Sequence, residues 1–233
     1  MQATPEQISR MLSLAAASPS VEVCGLLLDS GRVWPARNIA AAPADQFELD
    51  PVDVAAAQQL GAIVGIWHSH PSGTAEPSLL DRAMCERTAL PWHVVSPLTG
   101  DYRYLAPGGW QAPYEGRSYV YGVFDCWELV RDWYRQELGH ALPRLDPAPD
   151  GWWQTRDLVP ELCRQAGLQP VTGDWLRGDV LLCRCELSSA GADHAAVWLG
   201  DGRLLHQLRG QASRAEGFGR YWQRAVIRVV RLS

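Results

Sequence analysis

Two histidines one residue apart, followed by a serine and an aspartate, are the residues of this chain best able to act together. They occur as His68-Ser69-His70-Pro71, with Ser78 and Asp81 further on. The run before them, Ile63-Val64-Gly65-Ile66-Trp67, is apolar and β-branched and predicts a strand. Side chains two apart on a strand share a face, so His68 and His70 emerge side by side. Pro71 and Gly73 break the strand. Pro77-Ser78 predicts a helix start, and Asp81 shares a helix face with Ser78. Taken singly, each residue also suits an ordinary strand end or helix start. Taken together, two imidazoles and a carboxylate on two rigid elements make a three-ligand zinc site with one position open for water. One Zn2+ is therefore expected, in the N-terminal half.

The pattern His-x-His, seven residues, Ser-x-x-Asp resembles the JAMM motif of the JAB/MPN metalloprotease family. The resemblance covers roughly residues 1–106. It implies that His68, His70 and Asp81 hold zinc and that Ser78 steadies the oxygen of a tetrahedral intermediate. It also implies an upstream glutamate as general base, because water must lose a proton as it attacks. Glu22, in Val21-Glu22-Val23-Cys24-Gly25, takes that place, with Glu48 and Glu76 as competitors. The implied fold is an α/β sandwich of the cytidine-deaminase-like kind.

A second group of reactive residues lies in the C-terminal half. Tyr119-Val120-Tyr121-Gly122-Val123-Phe124-Asp125-Cys126 runs from a glycine-containing loop into a helix, with apolar residues at 129, 130, 133 and 134 in helical spacing. Cys126 falls in the first turn, where backbone N–H groups and the helix dipole favour a thiolate, the form that is nucleophilic. Such a nucleophile needs an imidazole base and a group that orients the imidazole. Asp193-His194-Ala195-Ala196-Val197-Trp198-Leu199 predicts a strand, Gly200-Asp201-Gly202 a turn, and Arg203-Leu204-Leu205-His206 the return. A two-residue loop at Asp201-Gly202 sets His206 on the face opposite His194. A three-residue loop with Gly202 left-handed pairs Leu199 with Arg203 and sets His206 opposite Ala196, diagonal to His194. The three-residue loop is the expected one.

These segments resemble the NlpC/P60 family of papain-like cysteine peptidases: Asp125-Cys126 at a helix start, Gly178-Asp179-Val180 opening a strand, and Asp193-His194 leading into Leu-Gly-Asp-Gly. The twelve-residue step to the family's third polar residue ends on His206. The resemblance covers about 118–233 and implies cleavage of peptide stems of the bacterial cell wall, next to D-glutamate and a diamino acid. The loop before Cys126 is short for the family, so Tyr119 and Tyr121 both stand as candidates for its substrate-binding tyrosine.

The whole chain frames these sites. Its 233 residues are 47 % hydrophobic and 20 % charged with formal net charge −5, which suits folded domains and excludes wholesale disorder. No basic block stands out, against nucleic acid as a partner. No run of about 18 apolar residues is available to enter a membrane, and the first residues lack the pattern of a secretory signal. The six cysteines are expected as reduced thiols, with Cys183 and Cys185 packing inward. Capping signals predict helices from Thr4 to about Ala17 and from Asp50, and strands are expected over 22–28, 31–39, 92–96 and 102–105. Residues 107–117, rich in Pro and Gly, read as a linker between domains 1–106 and 118–233. Eight of the eleven tryptophans follow residue 106, in keeping with two units of different make-up. His93 and His140 are expected to be structural. The fold class is α+β in two domains.

A JAB/MPN domain followed directly by an NlpC/P60 domain is similar to the tail-assembly proteins of lambda-like phages. That resemblance implies phage tail tip proteins and bacterial peptidoglycan peptides as partners. It also implies synthesis in the host cytoplasm and action at the tail tip, in the periplasm during infection. A tail-tip scaffold with idle sites, and a zinc-binding interaction module without turnover, are the competing expectations.

Overall fold

The histidine-bearing strand, β3 (Ile63–Ser69), lies in the middle of a five-stranded sheet. Around it run β1 (Cys24–Leu28), β2 (Val33–Ala36), β4 (Trp92–Val95) and β5 (Tyr102–Leu105), in the order β2-β1-β3-β4-β5. The computed structural model describes residues 1–144 and 151–233. They divide into two units, Met1–Ala112 and Pro113–Ser233.

In the first unit helices cover both faces of the sheet, which is why all five residues of β1 are buried apolar or small ones. Helix α1 (Pro5–Ala16) starts in a reciprocal capping box between Thr4 and Gln7 and sets Met11 and Ala15 against Leu27, Trp67 and Val95. On the opposite face, Ala57 of α2 (Pro51–Gln58) and Cys85 of α3 (Leu79–Thr88) join Leu26, Leu28, Ile66 and Trp92. The α3 crossover lets β4 return parallel to β3, while the other neighbours are antiparallel. Gly25 is required by close approach: a Cβ there would lie 2.1 Å from the Trp34 carbonyl oxygen and 2.5 Å from the Trp67 indole nitrogen.

The β1–β3 register pairs Cys24 with His68, so Glu22, two residues back, falls level with His70. The strand expected from Glu22 begins at Cys24 instead. Val23 still joins β3, its carbonyl accepting the Ser69 N–H and its N–H donating to the Ser69 hydroxyl. Glu22 is thereby held just beyond the strand end.

The second unit is built on an antiparallel sheet ordered β10-β9-β8-β7-β11-β6. Its strands are β6 (Leu168–Pro170), β7 (Val180–Cys183), β8 (His194–Gly200), β9 (Arg203–His206), β10 (Arg214–Gly217) and β11 (Val226–Leu232). Helix α4 (Cys126–Leu138) and α5 (Val159–Gln165) bring Leu129, Val130, Trp133 and Leu162 onto one face, against Val180, Leu182, Val197 and Leu205. Trp222 and Ala225 of α6 (Arg220–Ala225) cover Leu181, Cys183, Ala196 and Leu204 on the other. This α/β pair of units is the α+β class expected.

Residues 107–117, read as linker, are tied into structure at both ends. The Glu86 carboxylate accepts the N–H groups of Gly108, Gly109 and Trp110 at 2.8, 2.9 and 3.0 Å. Arg117 is wholly buried, its guanidinium 2.7 Å from Asp132, its Nε donating to the Pro113 carbonyl, and its plane over Phe124. Among the described residues all six cysteines are free thiols, and no helix is long and apolar enough to cross a membrane. Cys183 packs inward as expected, but Cys185 is only partly buried.

Candidate functional sites

In the first unit, strand alternation and the helix α3 cap bring three donor groups to one point. His68 and His70 project from the same face of β3 and its end, their Nε2 atoms 3.1 Å apart. Asp81 sits in the first turn of α3, where its carboxylate accepts the Ser78 N–H at 2.7 Å while the Ser78 hydroxyl accepts the Asp81 N–H at 3.1 Å. That reciprocal cap turns the carboxylate toward the imidazoles, 3.2 Å from His68 Nε2 and 3.4 Å from His70 Nε2. In a tetrahedron with bonds of about 2.05 Å, two donor atoms lie about 3.3 Å apart. The triangle formed by His68, His70 and Asp81 therefore has the size of one face of a zinc coordination sphere, and the donor set fits the ion. Among the described residues it is the one such cluster of His, Cys, Asp and Glu.

Packing fixes the ring orientations. His68 stacks on Phe47 at 4.6 Å and meets the edge of Trp92 at 5.5 Å. His70 Nδ1 lies 3.1 Å from the Thr74 carbonyl, which makes it the N–H side and leaves Nε2 as the ligand nitrogen. Burial pushes the His68 imidazole below its ordinary value. Burial also opposes charge on His70, but the Asp81 carboxylate outweighs it and raises that ring. Asp81 itself is disfavoured as an anion by burial, yet hydrogen bonds from both histidines hold it well below the usual carboxylate range.

Of the three candidate bases, Glu22 is the buried one, and its interaction with His70 puts it beside the donor triangle. Burial lifts its carboxyl to about 7, with Asp81 adding to the rise and His70 opposing it. A group with that value can both take and return a proton near neutrality. Glu76 is committed to Arg82 and Arg103, at 3.0 and 3.5 Å, and Glu48 is exposed. His93 is a core residue whose Nδ1 meets the Tyr102 hydroxyl at 2.9 Å.

In the second unit, Cys126 is the first residue of α4, capped by Asp125, whose carboxylate accepts the N–H groups of Glu128 and Gly122 at 2.9 and 2.7 Å. The cysteine, His194, Tyr119 and Tyr121 all line one cavity of about 90 Å³. The sulfur takes backbone hydrogen bonds from Ala195, the neighbour of His194, and from Trp127. Among the described residues no hydrogen bond joins the thiol to His194. Charge on the sulfur goes against expectation. Burial pushes the Cys126 thiol up to about 12, and the Asp125 carboxylate adds to the rise; the two N–H groups offset only part of it. Burial likewise lowers His194 to about 3 and His206 to about 4. The resting pair is a neutral thiol beside a neutral imidazole.

The hairpin that brings the two histidines together also differs from the expected one. It closes with two residues, Asp201 and Gly202, both left-handed at φ 49° and 69°. By itself that turn would put His206 on the wrong face. A bulge between Trp198 and Gly200 shifts the ladder by one residue, so that Gly200 pairs with Arg203 but Ala196 pairs with His206. The register expected from a three-residue loop is thus reached by a tight turn plus a bulge, and the His194 and His206 rings meet edge to face at 5.5 Å.

Three contributors escaped the sequence reading. Trp222 packs on both rings, at 5.7 Å from His194 and 4.6 Å from His206. Glu216, on β10, puts a carboxylate oxygen 3.3 Å from His206 Nε2. Arg209 covers Tyr119 and Trp153 at the cavity. Glu216 and Trp222 lie on short elements that carry no motif, and Arg209 lies in the turn between β9 and β10.

The two sites define a JAB domain followed by an NlpC/P60 domain. Residues 4–108 match the family model described as prokaryotic homologs of the JAB domain, and residues 116–231 match the NlpC/P60 family. The chain is 36 % identical over 232 residues to the tail tip assembly protein K of Escherichia phage N15, covering 96 % of this chain and 93 % of that one. It is 34 % identical over 177 residues to the protein of the same name from Escherichia phage lambda, covering 76 % and 85 %. A desampylase of Haloferax volcanii is 35 % identical over 103 residues, covering 40 % of this chain and 72 % of that one. The chain belongs to the tail tip assembly protein K family.

Proposed function

We propose that this chain is a two-site peptidase of the phage tail tip, a zinc-dependent (iso)peptidase in its first domain and a cysteine endopeptidase in its second. The observations that support the reading are the His68–His70–Asp81 triangle in the first unit and, in the second, Cys126 and His194 on one cavity with His206 packed against His194. We put the domain boundary within 107–117, between domains 1–106 and 118–233.

In the first domain His68, His70 and Asp81 would hold the ion. When bound, zinc supplies Lewis acidity to water and to a peptide carbonyl. Glu22 takes the proton of the attacking water and returns it to the leaving amine. The Ser78 hydroxyl accepts a backbone N–H and keeps its own hydrogen to donate to the developing oxyanion.

In the second domain His194 takes the Cys126 proton as the sulfur bonds to the carbonyl carbon. It then protonates the departing amine, and water hydrolyses the thioester. His206 orients the His194 ring. Tyr119 and Tyr121 bind substrate from the cavity wall. The NlpC/P60 match supports a peptidase-type activity, and we read its substrate as peptide stems of peptidoglycan, cut at D-glutamyl–diamino acid bonds. The names of the K relatives support tail tip proteins as partners; production in the host cytoplasm and action in the periplasm belong to the same proposal. The raised Cys126 thiol favours a second reading, a tail-tip scaffold with an idle cysteine site.

Digestion of defined murein peptides, read by mass spectrometry, separates them. Native protein should cut, Cys126→Ala should not, and chelation should leave this activity in place. If native and Cys126→Ala proteins both leave every peptide intact, the cysteine site is idle.

A further inference from the structure

Glu216 stands at the far side of the histidine pair from Cys126. Its Oε1 accepts the Trp222 indole N–H at 2.6 Å and lies 3.3 Å from His206 Nε2; its Oε2 accepts the Arg214 Nε–H at 2.8 Å. Register explains the approach: β10 pairs Arg214 with His206, so Glu216 is the diagonal neighbour on the same face. His206 is wholly buried, and both of its ring nitrogens, with Nε2 of His194, lack an aligned hydrogen-bond partner.

We propose that Glu216 is a positioning residue for the cysteine site, fixing the tautomers of His206 and His194 so that the basic nitrogen of His194 faces Cys126. The proposal rests on the reading of Cys126, His194 and His206 as a catalytic set. Its logic is that of a one-way chain. A neutral imidazole has one N–H and one lone pair. An ionised carboxylate can only accept, so His206 must turn its N–H, at Nε2, toward Glu216. Its Nδ1 is then left as an acceptor, and across the edge-to-face contact of the two rings an N–H at the buried His194 Nε2, itself without an aligned partner, would complement it. The lone pair of His194 is left on Nδ1, the nitrogen available to the cavity that Cys126 lines. An amide at position 216 could donate instead and would permit the reversed order.

Other ionisable groups around the pair do not impose a direction. Arg214, on β10, is a donor but is occupied by Glu216 itself. Cys183, opposite His194 on β7, is a buried thiol. Helix α6 contributes the indole of Trp222, and α4 contributes Cys126.

The test needs no natural substrate. Iodoacetamide alkylation, in which the S–C bond forms as iodide leaves and the thiol proton passes to a base, is followed at Cys126 by peptide mass. At neutral pH the base is His194; in strong alkali the thiol ionises to bulk hydroxide. A hydrogen bond to a charged group is worth about one pK unit or somewhat more, so removing the carboxylate that sets His206 in Glu216→Gln should slow neutral alkylation about tenfold. The alkaline limb should stay unchanged, and Glu216→Asp should restore most of the neutral rate. Local unfolding would instead speed alkylation at every pH. Neutral alkylation that is equal in native and Glu216→Gln proteins, but reduced in His194→Ala, overturns the role of Glu216 alone. Equal rates in native and His194→Ala proteins overturn the cysteine-site reading beneath it.

Discussion

Acid should weaken the second domain through its two buried histidines, and the size of the effect can be worked out. Burial holds His194 near 3 and His206 near 4, against 6.5 for an unburied ring. Below pH 6.5 the unfolded chain therefore binds protons that the native rings refuse. The stabilisation from neutral burial is fully present above 6.5 and is lost as pH falls toward 4. Between pH 7 and pH 5 the linkage amounts to about 2 kcal/mol for each ring, so about 4 kcal/mol for the pair. Carboxylates titrate in the same window, so the comparison must be internal. Urea unfolding of native and His206→Gln proteins at both pH values gives the difference directly. The native protein should lose about 2 kcal/mol more than the variant on going to pH 5. Equal losses would mean that His206 titrates in the fold as it does in the unfolded chain, and the burial-lowered value of His206 would then be wrong.

Purified protein should carry about one zinc per chain by elemental analysis, and His68→Ala with His70→Ala should abolish it. Glu22→Gln should retain the metal yet lower turnover of the first site by about 10²- to 10⁴-fold, the range for a lost general base. Asp132→Asn removes the charged partner 2.7 Å from the wholly buried Arg117 and should cost about 1–3 kcal/mol in denaturant unfolding. Gly25→Ala forces a methyl against the Trp34 carbonyl and the Trp67 indole, and should cost about 1–3 kcal/mol of first-domain stability by the same assay.

What could be read from sequence alone was whatever local chemistry dictates. Thr4, Asp50 and Ser78 announce their helices because an N-cap is a short-range event, and the structure has each of them capping. The pairing of His68 with His70 follows from strand alternation alone. The start of β1 was misjudged by two residues because Val21-Glu22-Val23 has strand composition, while ladder formation depends on a partner that ends at Ser69. The loop after β8 was misjudged because turn type and bulge compensate: Gly200, Asp201 and Gly202 satisfy either solution, and only the ladder decides. The charge state of Cys126 was the harder failure. A helix N-terminus is visible in sequence, but the depth of burial that outweighs it is a tertiary property. Glu216 and Trp222 reach the site through β10 and α6, short elements whose sequences carry no chemistry of their own.

The dual attachment of Asp81 bears on which ions the first domain admits. Its carboxylate is held by the first turn of α3, and its partners are imidazoles packed by Phe47, Trp92 and Thr74. Such a rigid nitrogen-rich aperture favours small borderline metals with tetrahedral habits. Calcium, which wants six to eight oxygens at longer range, finds neither the ligands nor the give. If the proposed site takes a metal, the helix cap would contribute to discrimination among ions.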